Sequence, residues 1–200
     1  MTRIAYMNLA PLEHNARHAR DRHRKDMMVV HETDSHDIAG FNDIIGNVKY
    51  LVSKGYGIHG MTDAEGHKAW AYGYATSEFI HCGGVNSRAC GIEQVSWIPY
   101  LLQKKAITNE QAWHMWMERK KQLEATAKLI AAWHNADKAH RPLKFSDGLH
   151  PGVTSHWNVS QHFAASEGHS DCHPHHQGGY YPLLHVIDLA NAYAKVGYTF

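Results

Sequence analysis

The chain of 200 residues has only three cysteines, Cys82, Cys90 and Cys172, and no two of them form a Cys-x-x-Cys pair. An odd, widely spaced set argues against a disulfide framework and against a structural four-cysteine zinc knot, and it fits a reducing compartment. Net charge is equally scarce, since 20 Lys+Arg against 19 Asp+Glu leave +1. No strong field favours a polyanion, so nucleic-acid binding has no electrostatic support. Long apolar runs are missing too: no stretch approaches the roughly 18 to 20 apolar residues of a membrane span. The opening Met1-Thr2-Arg3-Ile4 starts no sustained apolar signal region. These absences predict a protein made soluble in the cytosol, without membrane insertion. With no internal repeat and no linker, residues 1–200 read as one domain.

Histidine is what the chain has in excess, with 19 residues. Most must lie on the surface, where they make charge sensitive to pH between roughly 5 and 8.

Residues 11–26 start with Pro11 and are rich in charged, helix-compatible residues, which predicts a polar surface helix as an N-terminal extension. Met27 to Thr33 reads as a buried strand with His31 at its C-terminal end. From Asp37 to Lys54 the apolar residues Ile38, Phe41, Ile44, Ile45, Val48, Leu51 and Val52 recur at helical spacing, with Gly55 as a stop. Residues 57–62 and 67–72 flank Asp63-Ala64-Glu65-Gly66 as a hairpin. Ala89 to Ser96 is a further strand, whose alternation puts Ile92 and Gln94 on one face and Glu93 on the other. Thr108 caps a helix with Gln111 three residues on, and an apolar stripe runs from Trp113 to about Asn135. Residues 136–181, rich in Gly, His, Pro and Ser, contain no long periodic segment and read as a long loop that carries His156 and the function, and Pro182 to Val196 closes the chain as an amphipathic helix. The expected class is α/β (α+β), a central mixed β-sheet flanked by helices.

A histidine ending a buried strand, followed far downstream by His156 and by His169-Ser170-Asp171-Cys172, is the layout of an open zinc site. Two imidazoles and one anionic ligand leave a fourth tetrahedral position for water. His31-Glu32-Thr33-Asp34-Ser35-His36 is one residue longer than His-Glu-x-x-His, and five intervals do not put both histidines on one helical face. His14 and His18, and the run Cys172-His173-Pro174-His175-His176, read as a solvated face and an exposed loop. Glu93 is a carboxylate in an otherwise apolar strand, which costs several kcal/mol unless it is paired, solvated or used. Beside a zinc-bound water it is the natural proton acceptor.

In this order, these segments resemble the zinc-dependent N-acetylmuramoyl-L-alanine amidases of the type-2 amidase and peptidoglycan-recognition-protein family. The resemblance covers residues 27–182. It rests on the strand ending in His31, the Gly57-Ile58-His59 hairpin, His81-Cys82-Gly83-Gly84, Asn86 to Glu93, and the late His156 and His169-Ser170-Asp171. It implies a zinc ion held by His31, His156 and a third ligand, either Asp171 or the adjacent Cys172. Asp171 is favoured, because His169 then stands two residues before the ligand, where the family places an oxyanion-stabilising cation. It implies Glu93 as catalytic glutamate; Ile58 stands where another branch carries a tyrosine. His81 and Asn86 match positions lining the substrate groove.

The implied partner is peptidoglycan, cleaved between N-acetylmuramic acid and the L-alanine of its stem peptide. A phage endolysin, made in the host cytoplasm and released to the wall by a holin, is the expected biology. A cytosolic recycling amidase, a non-catalytic wall-binding module of the same fold, and a wall cysteine peptidase using Cys82 with His156 are the alternatives.

Overall fold

The structure is a computed structural model that describes residues 25–34, 41–70, 79, 81–166 and 168–200. His14, His18, His36 and the expected helix over 11–24 lie outside the described residues. Lys25 and Asp26, placed at the end of that helix by the sequence, are not helical. Lys25 is buried and donates from Nζ to the Asn86 carbonyl at 2.6 Å, so this end of the segment is pinned rather than surface-bound.

Among the described residues five strands form one sheet: β1 (Met27–Glu32), β2 (Gly60–Thr62), β3 (Lys68–Trp70), β4 (Ala89–Gln94) and β5 (Gly152–Ser155), in the spatial order β3-β2-β4-β1-β5. β1 runs parallel to β4 and to β5, β2 is parallel to β4, and only the β2–β3 hairpin is antiparallel. The sheet is therefore mixed. Parallel strands are covered on both faces, which is why β1 reads as the unbroken apolar run Met27-Met28-Val29-Val30.

The period of two sorts the central strands into two faces. Met28, Val30, Cys90, Ile92 and Val153 pack into the main core with Trp116, Leu123, Ile130, Trp133 and Ile187. Those partners belong to α3 (Asn109–Glu118), α4 (Lys120–Ala136) and α6 (Leu183–Lys195). Met27, Val29 and Ala89 face the other way, against Cys82, Val85 and Val159. Val159 is carried by the short α5 (His156–Ser160), and Ile44 and Val48 of α1 (Phe41–Ser53) cover the β2 side of the sheet with Ile58 and Met61. Fully burying one such aliphatic side chain contributes about 1.5 to 3 kcal/mol, so the two faces together hold the sheet.

Two sequence expectations need correction. The long helical stripe breaks at Arg119, which takes φ −81° and ψ 45° and closes its N–H on the Trp116 carbonyl. Its guanidinium reaches the Val95 carbonyl at 3.3 Å, tying the break to the end of β4. The apolar stripe crosses the break undisturbed because Trp116 and Leu123 bury into the same core. Residues 136–181 also contain β5 and α5, too short to show a period; their order comes from pairing with β1. The expected Thr108 cap is present as a full capping box, with Gln111 N–H donating to the Thr108 hydroxyl at 3.2 Å and Thr108 N–H to the Gln111 side chain at 2.8 Å. α2 (Ile98–Gln103) links β4 to α3.

Candidate metal centre

The site lies beyond the carboxyl ends of the parallel strands, where open α/β sheets form their crevices. Strand register places its groups. His31 on β1 is paired with Glu93 on β4, and Ser155 on β5 is paired with Val30, so His156 follows at the level of His31. His156 is thus carried by a strand end and the first residue of α5, capped by the Ser155 hydroxyl, and not by a loop as the sequence suggested. Asp171 arrives on the loop before α6.

Three atoms converge here. His31 Nδ1 lies 3.1 Å from His156 Nδ1, His156 Nδ1 lies 3.2 Å from Asp171 Oδ2, and His31 Nδ1 lies 3.4 Å from Asp171 Oδ2. A tetrahedral zinc with ligand arms of about 2.0 to 2.1 Å has edges of roughly 3.3 to 3.4 Å between its donors. The triangle fits one face of that tetrahedron. Two other donor sets within 4.8 Å share His156: His31–Cys82–His156 and His156–His169–Asp171. The first set lacks the anionic oxygen, and the second uses His169, whose side chain is 56% exposed and whose Nδ1 stays 3.8 Å from Asp171.

Cys172 goes elsewhere. It is buried in the main core rather than on an exposed loop, and its thiol accepts from Gln94 Nε2 at 3.7 Å. Its φ of +56° is in the left-handed region, which turns adjacent side chains in opposite senses: Asp171 toward the histidines and Cys172 inward.

Glu32 holds that turn. Its carboxylate accepts from Cys172 N–H at 3.1 Å, from Trp116 Nε1 at 2.7 Å and from the Tyr180 hydroxyl. One buried carboxylate therefore joins the residue after His31 to the residue after Asp171. The signal that singles out Glu93, a carboxylate in a buried strand, is present at Glu32 as well, and it could have found this residue. Gln94 braces the same region: Nε2 donates to the His31 carbonyl at 3.2 Å while Oε1 accepts from Thr126 and Tyr181.

His81 and Asn86 both line the cleft, yet each also braces the protein. His81 Nδ1 lies 3.1 Å from His31 Nε2. Asn86 Oδ1 accepts the backbone N–H groups of His81 and Cys82 at 3.0 and 2.8 Å. His169 stacks on His156 with ring centroids 4.0 Å apart. Cys82 is buried, and its thiol lies within 4.8 Å of ring nitrogens of His31 and His156.

The electrostatics follow from burial and from one ion pair. Burial would push His156 down, but the Asp171 carboxylate overrides it and holds the imidazole up at about 10. Asp171 is desolvated too, yet His156 and then His31 hold its carboxyl well below the usual carboxylate range. Burial lowers His31 to about 4 and takes His81 well below the ordinary imidazole value. Burial and the neighbouring Asp171 charge raise Glu93 to about 8, and burial raises Glu32 to about 7. A cation would invert this balance by favouring every carboxylate's charged form.

Above the triangle opens a cleft of about 670 Å³, lined by Glu93, His169, Tyr56, Ile58 and Gln103 among others. Donors for a metal, a carboxylate beside them and room for an extended substrate are the components of a hydrolytic site.

No protein-family model matches the chain, and no curated protein matches its sequence. Solved structures do resemble it. The hydrolase AmiA of Staphylococcus aureus, solved in complex with its ligand, superposes with a TM-score of 0.58 at 18% identity, covering 88% of this chain and 77% of that one. The N-acetylmuramoyl-L-alanine amidase LysC of Clostridium intestinale gives a TM-score of 0.51 at 15% identity, covering 83% and 85%. At such identities the likeness concerns architecture, and the expected mixed sheet with flanking helices is the one found. This chain therefore has the fold shared by the hydrolase AmiA and the amidase LysC.

Proposed function

We propose that the protein is a zinc-dependent N-acetylmuramoyl-L-alanine amidase, a peptidoglycan hydrolase that cleaves the amide between the lactyl group of N-acetylmuramic acid and the L-alanine of the stem peptide. The observation that carries this reading is the triangle of His31 Nδ1, His156 Nδ1 and Asp171 Oδ2, with edges of 3.1, 3.2 and 3.4 Å at the floor of an open cleft. The shared fold with an amidase supports it.

His31, His156 and Asp171 would hold the ion. When bound, zinc acidifies water and polarises a carbonyl as a Lewis acid. Glu93, in register with His31 and lining the cleft, takes the proton of the attacking water and returns it to the leaving amine. His169, on the cleft side of His156, donates a hydrogen bond to the oxyanion that develops on the scissile carbonyl. Each contribution is worth roughly 2 to 4 kcal/mol, so the loss of either residue cripples turnover. His81 and Asn86 shape the cleft wall.

Chelation tests the reading. Wall lysis is expected to stop in a chelated preparation and to return with added zinc; lysis that continues unchanged removes the metal mechanism. One observation favours a second reading, a cysteine hydrolase in which Cys82, His156 and Asp171 act in series, because the Cys82 thiol lies within 4.8 Å of a His156 ring nitrogen. That reading gives His31 no role, and it requires loss of lysis on thiol alkylation with no response to chelation.

A further inference from the structure

His31 has two ring nitrogens, and a metal ligand must present one of them without its proton. Nδ1 faces His156 and Asp171, while Nε2 faces away at 3.1 Å from His81 Nδ1. The far nitrogen of His81, Nε2, lies 3.5 Å from the Ala89 carbonyl oxygen. A carbonyl only accepts, so this end of His81 carries the N–H and its Nδ1 offers a lone pair. That lone pair is satisfied by a proton on His31 Nε2, which leaves His31 Nδ1 bare toward the donor triangle. The chain of groups thus has one direction: His31 Nε2–H to His81 Nδ1, then His81 Nε2–H to Ala89 O.

A second observation belongs to a different residue. A Cβ at Gly91 would lie 2.7 Å from His81 Nδ1 and 2.5 Å from Ile58 Cδ1. Gly91 sits two residues before Glu93 on the same face of β4, so the absent side chain is the space through which His81 reaches His31. Gly91 N–H also donates to His59 Nδ1 at 3.1 Å, and the His59 ring meets His81 edge-on with centroids 5.7 Å apart. Asn86 fixes the backbone of the same loop. The His81 ring is therefore held from the sheet, from the hairpin and from its own loop.

We propose that His81 is a positioning residue: it accepts the His31 Nε2 proton and so fixes the tautomer in which His31 Nδ1 is presented to zinc, in a space that Gly91 keeps open. The assignment rests on the reading of the triangle as a zinc seat. Partners of this kind typically govern metal affinity by 10- to 100-fold.

The test is zinc affinity, measured by competition with a chromophoric chelator, independently of turnover. His81→Ala is expected to weaken zinc binding about 10- to 100-fold. Asparagine carries an acceptor oxygen where histidine carries Nδ1, so His81→Asn is expected to stay within about threefold of the parent on the same scale. Gly91→Ala is expected to fall with His81→Ala, because its methyl group displaces the ring. In imidazole proton spectra of the zinc-loaded protein, the His31 Nε2–H signal is expected to be protected from exchange in the parent and in His81→Asn, and exposed in His81→Ala. Far-ultraviolet circular dichroism checks that each variant is folded. Equal affinity of His81→Ala and the parent, or a zinc-loaded His31 protonated at Nδ1, overturns the assignment and leaves the zinc reading intact. A parent protein that binds no zinc overturns both.

Discussion

At the scale of single residues, the adjacent pair Asp171 and Cys172 shows how backbone geometry divides two metal-competent side chains. The turn at Cys172 sends Asp171 to within 3.4 Å of His31 and buries Cys172 in the core. Asp171→Ala is therefore expected to abolish stoichiometric zinc, and Cys172→Ser to retain it; metal analysis of the two purified variants decides. The ion pair between Asp171 and His156 sets a proton count. With His156 raised to about 10 and His31 lowered to about 4, only His156 must give up a proton at neutral pH before it can ligate. Zinc binding is expected to release one proton from His156 and up to one more from Glu93, whose value of about 8 a nearby cation lowers, with affinity rising at least about tenfold per pH unit near neutrality. Calorimetry in buffers of different ionisation enthalpy measures this directly.

Glu93 gives the opposite sign. Its folded value of about 8 lies above the ordinary 4.5, so between these limits the folded chelated protein binds more protons than the unfolded chain. Stability from this group is present at low pH and is lost as pH rises toward 8. Glu93→Gln is thus expected to raise the melting temperature of the chelated protein at pH 8 to 9, to leave it little changed at pH 5, and to reduce turnover by at least 100-fold.

At the scale of elements, the clamp around Glu32 joins β1, α3 and the 171–172 turn. Glu32→Ala strands three donors, Trp116 Nε1–H, Cys172 N–H and the Tyr180 hydroxyl, at about 1 to 3 kcal/mol each when unsatisfied. Denaturant unfolding is expected to show a loss on the order of 3 kcal/mol or more. Glu32→Gln, which keeps one acceptor, is expected to lose less.

The same elements show what a sequence makes legible. β1, the face alternation of β4, the Thr108 cap and α6 are local patterns found where the periodicity puts them, and the hairpin is found with shorter strands, Gly60–Thr62 and Lys68–Trp70, residues 71 and 72 lying outside the described residues. His31 and Glu93 stand out because each is a polar residue interrupting a buried strand. β5 does not, since four residues show no period and its order comes from pairing with β1, far away along the chain. The break at Arg119 is equally invisible, because a bend in the backbone leaves the spacing of apolar side chains intact. The bracing roles of His81 and Asn86 depend on distances across 50 residues and on a turn, which composition does not encode.

At the scale of the whole molecule, a sheet covered on both faces brings His31, His156 and Glu93 to one level across three adjacent strands, and a loop far downstream supplies Asp171. The cleft above them, about 670 Å³, is of the size of small-ligand pockets, and the proposed activity breaks one bond within a peptide attached to a sugar. Mass spectrometry of purified peptidoglycan digested by the zinc-loaded protein tests this most directly. Free stem peptides beginning with L-alanine are predicted, alongside glycan strands whose lactyl groups end in carboxylates. New reducing ends on the glycan, or cleavage at a bond inside the peptide, would contradict the proposed amidase activity.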